Sequence, residues 1–224
     1  MFNKILRLLK RKNQLNNDDF IKRIRTLLIG EGMLHDGNIP LIETAIKNMP
    51  NNGNVIEIGS YGGLSTNLII YLMQKHKRNN TMLNCDAWIY EGFNDQIKNN
   101  ILHIDGRVDV LREDYSNYMK KAFINATKFI SIKNLPHSFH MKSDLFFSKW
   151  NKQETETDLF GREVKLGGEI SFAYIDGGHS YEVVLNDFEN VANHLVIDGF
   201  MLIDDSAPHL NFGSAKIIGK NQKG

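Results

Sequence analysis

The stretch NVIEIGSYGGLSTNLIIYLMQKHKRNNTMLNCD, residues 54–86, decides the fold. Asn54-Val55-Ile56-Glu57-Ile58-Gly59 is a short apolar run that enters a glycine turn, and such a run reads as a buried strand. Leu68, Ile69 and Leu72 then keep helical spacing, with Ser65 or Thr66 near the helix start. Met82-Leu83-Asn84-Cys85-Asp86 is a second short strand that ends on an acid. Strand, glycine turn, helix and strand in succession imply a parallel sheet covered by helices.

The same alternation returns near the end of the chain. Residues 170–176 form a strand ending in Asp176. In the helix that follows, Val184, Phe188, Val191 and Leu195 step by four, three and four. Asp198-Gly199 is a turn, and Phe200-Met201-Leu202-Ile203 is a strand that runs into Asp204-Asp205. Upstream, Leu41, Ile42, Ala45, Ile46 and Met49 keep helical spacing until Pro50-Asn51-Asn52-Gly53 ends the helix. Residues 14–30 read as an amphipathic helix carrying Phe20, Ile21, Ile24, Leu27 and Leu28 on one side. Between the two alternating regions the pattern pauses. Residues 87–117 show no sustained period, Tyr118 to Phe129 looks helical, residues 135–148 mix a strand with aromatics, and residues 158–164 suggest a hairpin around Gly161. The expected architecture is α/β, a Rossmann-like doubly wound and mostly parallel sheet.

Bulk properties agree with an ordinary globular chain: 42% apolar residues, 24% charged and a net charge of +1 over 224 residues. That balance gives no global field for nucleic acid, so no nucleic-acid partner is expected. A single cysteine, Cys85, forbids an internal disulfide and points to a reducing, cytoplasmic setting. No apolar run reaches the length of about 18 residues that spans a bilayer. The N-terminal segment MFNKILRLLKRKN alternates Lys4, Arg7, Lys10, Arg11 and Lys12 with Phe2, Ile5, Leu6, Leu8 and Leu9. An amphipathic helix packed on the domain or a partner is favoured there over weak peripheral membrane contact through residues 1–13, because one short signal rarely anchors a protein.

Three motifs carry chemistry. Glu57-Ile58-Gly59-Ser60-Tyr61-Gly62-Gly63 places glycines after a buried strand, where the backbone can turn tightly and approach a ligand. The spacing differs from the dinucleotide fingerprint G-x-G-x-x-G. Glu57 would repel a pyrophosphate and attract a cationic amino-acid moiety, directly or through water, although a tight structural turn explains the same residues equally well. Asp86 ends the second strand, where a carboxylate can take both hydroxyls of a ribose. Asp176, Asp204 and Asp205 end two strands of one parallel sheet and can converge outside their carboxyl ends. Such carboxylates suit a hard divalent cation such as Mg²⁺, and His179 is near enough to Asp176 to act as a general base. Singly, each of these residues is more often a helix cap or a structural side chain.

Taken together, these residues resemble the class I S-adenosylmethionine-dependent methyltransferases, and among them the macrocin-type and other sugar O-methyltransferases. The resemblance is carried by VIEIGSYGGLST (55–66), the acid in CDAW (85–88) and AYIDGGHSYEVVLNDFENVANHLVIDGFMLIDD (173–205). The last is the most specific, because D-G-x-H-x-Y-E, a helix, D/G-G and a strand ending in D-D recur together in that group. It spans residues 31–210, with the middle poorly matched.

The resemblance implies that Glu57, Gly59 and Ser60, with Tyr61 and Gly62 of the same turn, meet the methionine part of S-adenosylmethionine. By the same carry-over Asp86 binds the ribose and Ser143, with Asp144 beside it, lies near the adenine. Asp176, Asp204 and Asp205 match the metal ligands, Asp176 also facing the cofactor, and His179 matches the base, a role some relatives give to an aspartate. The implied reaction is metal-assisted methylation of a hydroxyl on a sugar, a glycan or a small polar natural product, in polysaccharide biosynthesis or a related route. The implied domains are an N-terminal helical extension over 1–30 and a methyltransferase domain over 31–224. Within it, 87–117 is an insertion-like lid or acceptor-binding segment. Its Tyr90, Phe93, Tyr115 and nearby Tyr118 suit either a sugar face or a satellite core.

Only 19 residues follow Asp205, too few for the helix and antiparallel hairpin that usually complete such a sheet. The expectation is a sheet that stops early or a fragment. Its exposed edge would favour pairing with another chain, a homo-oligomer among the options. Two other readings stay open: an inactive or truncated methyltransferase-fold subunit in glycan assembly, and a nicotinamide-dependent oxidoreductase. The second lacks its glycine fingerprint and meets the wrong charge at Glu57.

Overall fold

The computed structural model describes residues 34–89, 101–104 and 108–206. The expectations for residues 1–30, for Tyr90 and Phe93 and for the C-terminal tail beyond 206 lie outside the described residues. The chain opens with α1 (Asn38–Asn48), β1 (Asn54–Ile58), α2 (Leu64–Lys75) and β2 (Met82–Asp86). Then come β3 (Ile101–Ile104), β4 (Val108–Leu111), α3 (Arg112–Ser131), β5 (His137–His140) and α4 (Ser143–Lys152). The last part holds β6 (Thr155–Thr157), β7 (Glu163–Lys165), β8 (Ile170–Ile175), α5 (Tyr181–Ala192) and β9 (Leu195–Ile203).

Five strands form one sheet in the order β5-β2-β1-β8-β9, and every neighbouring pair runs parallel. Strand alternation explains the two layers of helix. Val55, Phe172 and Tyr174 point to one face, where Ile42 and Ile46 of α1 and Leu68, Ile69 and Leu72 of α2 close over them. Ile56, Ile58, Ala173 and Ile175 point to the other, against Phe146, Phe147 and Trp150 of α4 and Val191 of α5. Strands buried on both faces read as near-continuous apolar runs, which is why 54–58 and 170–175 were visible in the sequence. The chain moves outward from β1 to β2 and β5, then returns to β8 on the other side of β1. The strand order therefore reverses between β1 and β8, the position where open α/β sheets gather their ligands.

Several expectations need correction. Leu195 is not the end of a helical stripe: it pairs with Ile170 as the first residue of β9. Register then jumps to Phe172 against Phe200, with Asp198 at φ 65°, so the predicted Asp198-Gly199 turn survives as a bulge inside a strand. Phe188 is 43% exposed, because α5 presents Asp187 and Val191, one turn apart, to the core instead. The segment 87–117 is not irregular throughout: β3 and β4 pair antiparallel within it and α3 begins at Arg112. Residues 135–148 hold the edge strand β5 and the start of α4. The hairpin around Gly161 is present as β6 and β7, with Gly161 at φ 79°. Among the described residues no helix is long and apolar enough to cross a membrane, and no antiparallel strand extends the large sheet.

Candidate active site

A cleft of about 410 Å³ opens at the C-terminal end of the sheet. Its walls are residues 58–61 after β1, 85–89 after β2, 141–144 after β5 and 176–179 after β8, with Tyr115 and Met119 from α3. That volume lies in the range of small-molecule sites, about 300–1,000 Å³.

The turn after β1 is set by packing. Gly59 has φ 84°, and a Cβ there would lie 2.0 Å from the Asp176 carbonyl oxygen. Asp176 in turn donates its backbone N–H to the Ile58 carbonyl at 2.8 Å. The close approach that requires glycine is thus to the end of β8, and it seats the two strand ends side by side. Gly63, at φ 93°, meets Phe123, Asn67 and Thr127 in the same way, which ties the start of α2 to α3.

Glu57 is wholly buried between β1 and α2 and does not line the cleft. Its Oε2 accepts hydrogen bonds from Ser60 Oγ at 3.0 Å, Thr66 Oγ1 at 2.5 Å and Asn84 Nδ2 at 3.1 Å. Burial raises its pKa, against those hydroxyl and amide donors. The influence of Glu57 on the cleft therefore passes through Ser60, which does line it. Asp86 lines the cleft and also clamps its floor. Its Oδ2 accepts the Ser60 and Tyr61 backbone N–H groups, each at 2.8 Å, and its Oδ1 accepts that of Trp88 at 2.5 Å. Burial raises Asp86 while these three N–H groups pull it down. Trp88, 4% exposed, donates Nε1–H to the Tyr61 carbonyl and packs on Phe123, and Tyr115 reaches the Tyr61 hydroxyl at 3.3 Å. An aromatic wall of Tyr61, Trp88 and Tyr115 results.

At the other end, Asp176, His179 and Asp205 each offer one ligand atom, all within 4.8 Å of one another. His179 Nε2 is 3.7 Å from Asp205 Oδ2. Burial, then the Asp204, Asp205 and Glu57 charges, push Asp176 up to about 8, against the Tyr174 hydroxyl. Asp205 is raised by burial and by Asp204, while His179 and His35 pull it down. Asp204 is held apart from this cluster. Tyr174 donates its hydroxyl to Asp204 Oδ2 at 2.6 Å, and Asn38 donates Nδ2–H to Oδ1 at 2.6 Å. After the turn, Ser180 caps α5 by accepting the Val183 N–H at 3.4 Å.

This geometry meets a family comparison that agrees with it: the model of a family described as a methyltransferase domain matches residues 56–206. The chain belongs to that family and is an S-adenosylmethionine-dependent methyltransferase. The match covers every strand of the large sheet except the first two residues of β1. No curated protein matches the methyltransferase by sequence. Among solved structures, the S-adenosylhomocysteine-bound Podospora anserina methyltransferase PaMTH1 is 13% identical, with a TM-score of 0.54 over 97% of this chain and 80% of that one. The O-methyltransferase NovP is 14% identical, with a TM-score of 0.45 over 78% of this chain and 67% of that one. CalS11, a TDP-rhamnose 3'-O-methyltransferase, is 14% identical, with a TM-score of 0.44 over 90% and 80%. At such identities the likeness to PaMTH1 speaks for the fold alone.

Of the residues singled out from the sequence, the methyltransferase brings Gly59, Ser60, Tyr61, Asp86, Ser143, Asp176 and His179 to one cleft. Glu57 reaches it through Ser60, Gly62 is buried and does not line it, Asp205 stands beside it, and Asp204 is bonded to Asn38 and to Tyr174, whose hydroxyl also approaches Asp176. Leu34, Trp88, Met119, Met141 and Asn186 also line it and were not singled out. Nothing in their local sequence marks them, because long-range packing brings them there.

Proposed function

We propose that this methyltransferase methylates a hydroxyl group of a sugar, a glycan or a small polar acceptor, with a divalent cation such as Mg²⁺ held at the acceptor end. The observation that carries the reading is the meeting of Asp176, His179 and Asp205 within 4.8 Å beside the cleft. Two carboxylates with an imidazole form a donor set that fits a hard or borderline divalent cation. The sugar acceptor rests on the D-G-x-H and D-D motifs, which resemble those of sugar O-methyltransferases.

The cleft also fits the cofactor. Among the described lining residues it is rich in acids, with Asp86, Asp144, Asp176 and Glu182 against the single lysine Lys142, which suits a sulfonium with an α-amino group. Bound S-adenosylmethionine supplies an electrophilic methyl group, and a divalent cation supplies charge that makes a neighbouring hydroxyl more acidic. In this reading Asp86 would bind the ribose, Ser60 and the Gly59 turn the amino-acid end, and Ser143 would lie near the adenine; all four line the cleft. Asp176 and Asp205 would hold the cation, and Tyr61, Trp88 and Tyr115 offer apolar faces on which a sugar ring would pack. His179 would accept the proton of the acceptor hydroxyl.

A second reading is favoured by the same 4.8 Å cluster: His179 as third ligand. One nitrogen cannot both ligate and accept the proton, so the two roles separate experimentally. The primary test is calorimetric titration with S-adenosylhomocysteine, then methyl transfer to a panel of hydroxylated sugar acceptors with and without chelator. Cofactor binding with chelator-sensitive transfer is expected. Transfer that is fully active in excess chelator removes the cation from the reading.

A further inference from the structure

We propose that Asp187 is a positioning residue that sets purine specificity through Ser143, fixing the Ser143 hydroxyl as a hydrogen-bond acceptor toward the cleft and so selecting an amino-bearing base over an oxo-bearing one. The inference rests on the reading of Ser143 as the residue beside the adenine. Asp187 itself does not line the cleft.

Asp187 belongs to α5, whose Val183 and Asn186 line the cleft. It stands one turn beyond Val183 and is fully buried. A Cβ on Gly177 would come within 3.7 Å of its Oδ2, so the carboxylate lies behind the turn after β8 that walls the cleft. Neither oxygen has a partner in good hydrogen-bond geometry among the described residues. Buried polar groups in that condition are few in native proteins, and each needs a reason. The reason here lies with Ser143, the first residue of α4, which lines the cleft and has its hydroxyl near the carboxylate. Asp144 beside it is turned to its own helix, with Oδ1 accepting the Leu145 N–H at 2.7 Å. A serine hydroxyl has one proton and two lone pairs, and the proton rotates to the best acceptor in reach. A buried carboxylate with no other donor takes that proton, because leaving the charge unpaired is costly. Ser143 then faces the cleft with lone pairs alone. The exocyclic amino group of adenine donates to them, whereas the oxo group of hypoxanthine meets them acceptor against acceptor.

The experiment titrates the full chain by calorimetry with S-adenosylhomocysteine and with S-inosylhomocysteine. It is run at pH 8, above the value of about 6 to which burial pushes Asp187, so the carboxylate is charged. The parent is expected to prefer the adenine ligand by at least about ten-fold. Hypoxanthine also differs from adenine at N1, so the change in preference between variants is what reads Ser143. In Asp187→Ala and in Ser143→Ala the preference should fall by about ten-fold, and the double variant should fall no further than either. General loss of structure would weaken both ligands alike and leave their ratio unchanged. Asp187→Asn keeps an oxygen that accepts the Ser143 proton, and it should keep the preference. Asp187→Leu, which fills the space, carries the test if Asp187→Ala does not fold. A parent-like preference in Asp187→Ala or Asp187→Leu, with a fall in Ser143→Ala, overturns the inference alone. A loss in Asp187→Asn as full as in Asp187→Ala assigns the effect to charge and also overturns it. A parent-like preference in Ser143→Ala overturns the placing of Ser143 beside the adenine and the inference with it.

Discussion

The Tyr174 hydroxyl lies 2.6 Å from Asp204 Oδ2, across the β8–β9 pair. The register is Tyr174 against Leu202 and Ile175 against Ile203, so Tyr174 stands one step behind the acids at both strand ends. This bond gives the two consecutive acids different surroundings. Asp204 faces inward to neutral donors, while Asp205 turns outward toward His179.

His179 separates the base from the ligand reading. His179→Ala is expected to slow methyl transfer by about a hundred-fold or more. Mn²⁺ affinity should remain close to that of the parent. A loss of Mn²⁺ affinity in parallel with the rate assigns the imidazole to the cation instead.

Gly59→Ala tests the seating of the two strand ends. The left-handed conformation alone costs an alanine about 1–2 kcal/mol. The new Cβ would also meet the Asp176 carbonyl at 2.0 Å, a contact with backbone that no rotamer change relieves. The Tm should fall by about 10 °C, and S-adenosylhomocysteine binding should be lost. Parent-like binding would show that the turn after β1 and the Asp176 strand end are independent.

The central strands and their terminal acids were legible because burial on both faces writes apolar runs, and because a strand end is a local feature. Gly59 was legible as a special position, though its partner is Asp176 backbone, which no local pattern reveals. Glu57 was legible as an acid, but two of its side-chain donors, Thr66 and Asn84, come from α2 and β2. Leu195 was misplaced because α5 ends at Ala192 and β9 begins at Leu195, a position that still falls four residues after Val191. Asn38 gave no signal at all: its contact with Asp204 spans 166 positions.

The β6–β7 hairpin should be acid-sensitive. Asp158 accepts hydrogen bonds from the Phe160 and Arg162 backbone N–H groups at 2.9 Å each and from Arg162 Nε at 2.7 Å, and His137 Nδ1 lies at 3.1 Å. Burial would raise Asp158, but Arg162 and His137 outweigh it and hold its pKa below the usual carboxylate value. A lowered folded pKa contributes stability above the unfolded pKa, about 4, which is lost as pH falls through the folded value. Arg162→Ala is expected to cost about 2 kcal/mol at pH 7. It should also shrink the loss on acidification in urea unfolding. A cost that grows as pH falls would contradict this account.

Asp187 predicts the opposite pH dependence. It is fully buried on α5, neither of its oxygens has a partner in good hydrogen-bond geometry among the described residues, and a Cβ on Gly177 would come within 3.7 Å of its Oδ2. Burial pushes its pKa up to about 6; the nearby Ser143 hydroxyl opposes the shift and Asp144 adds to it. The folded state therefore holds the proton more tightly than the unfolded state, whose pKa is about 4. Between those values stability falls as pH rises, and above pH 6 the cost of the buried charge is complete. Asp187→Asn removes the titration and keeps the shape. Relative to the parent, it should be about 2–3 kcal/mol more favourable at pH 8 than at pH 4. Urea unfolding of both proteins at the two pH values measures that difference directly. All other groups titrate alike in parent and variant and cancel, so a pH-independent difference would mean that burial leaves the Asp187 pKa at its unfolded value.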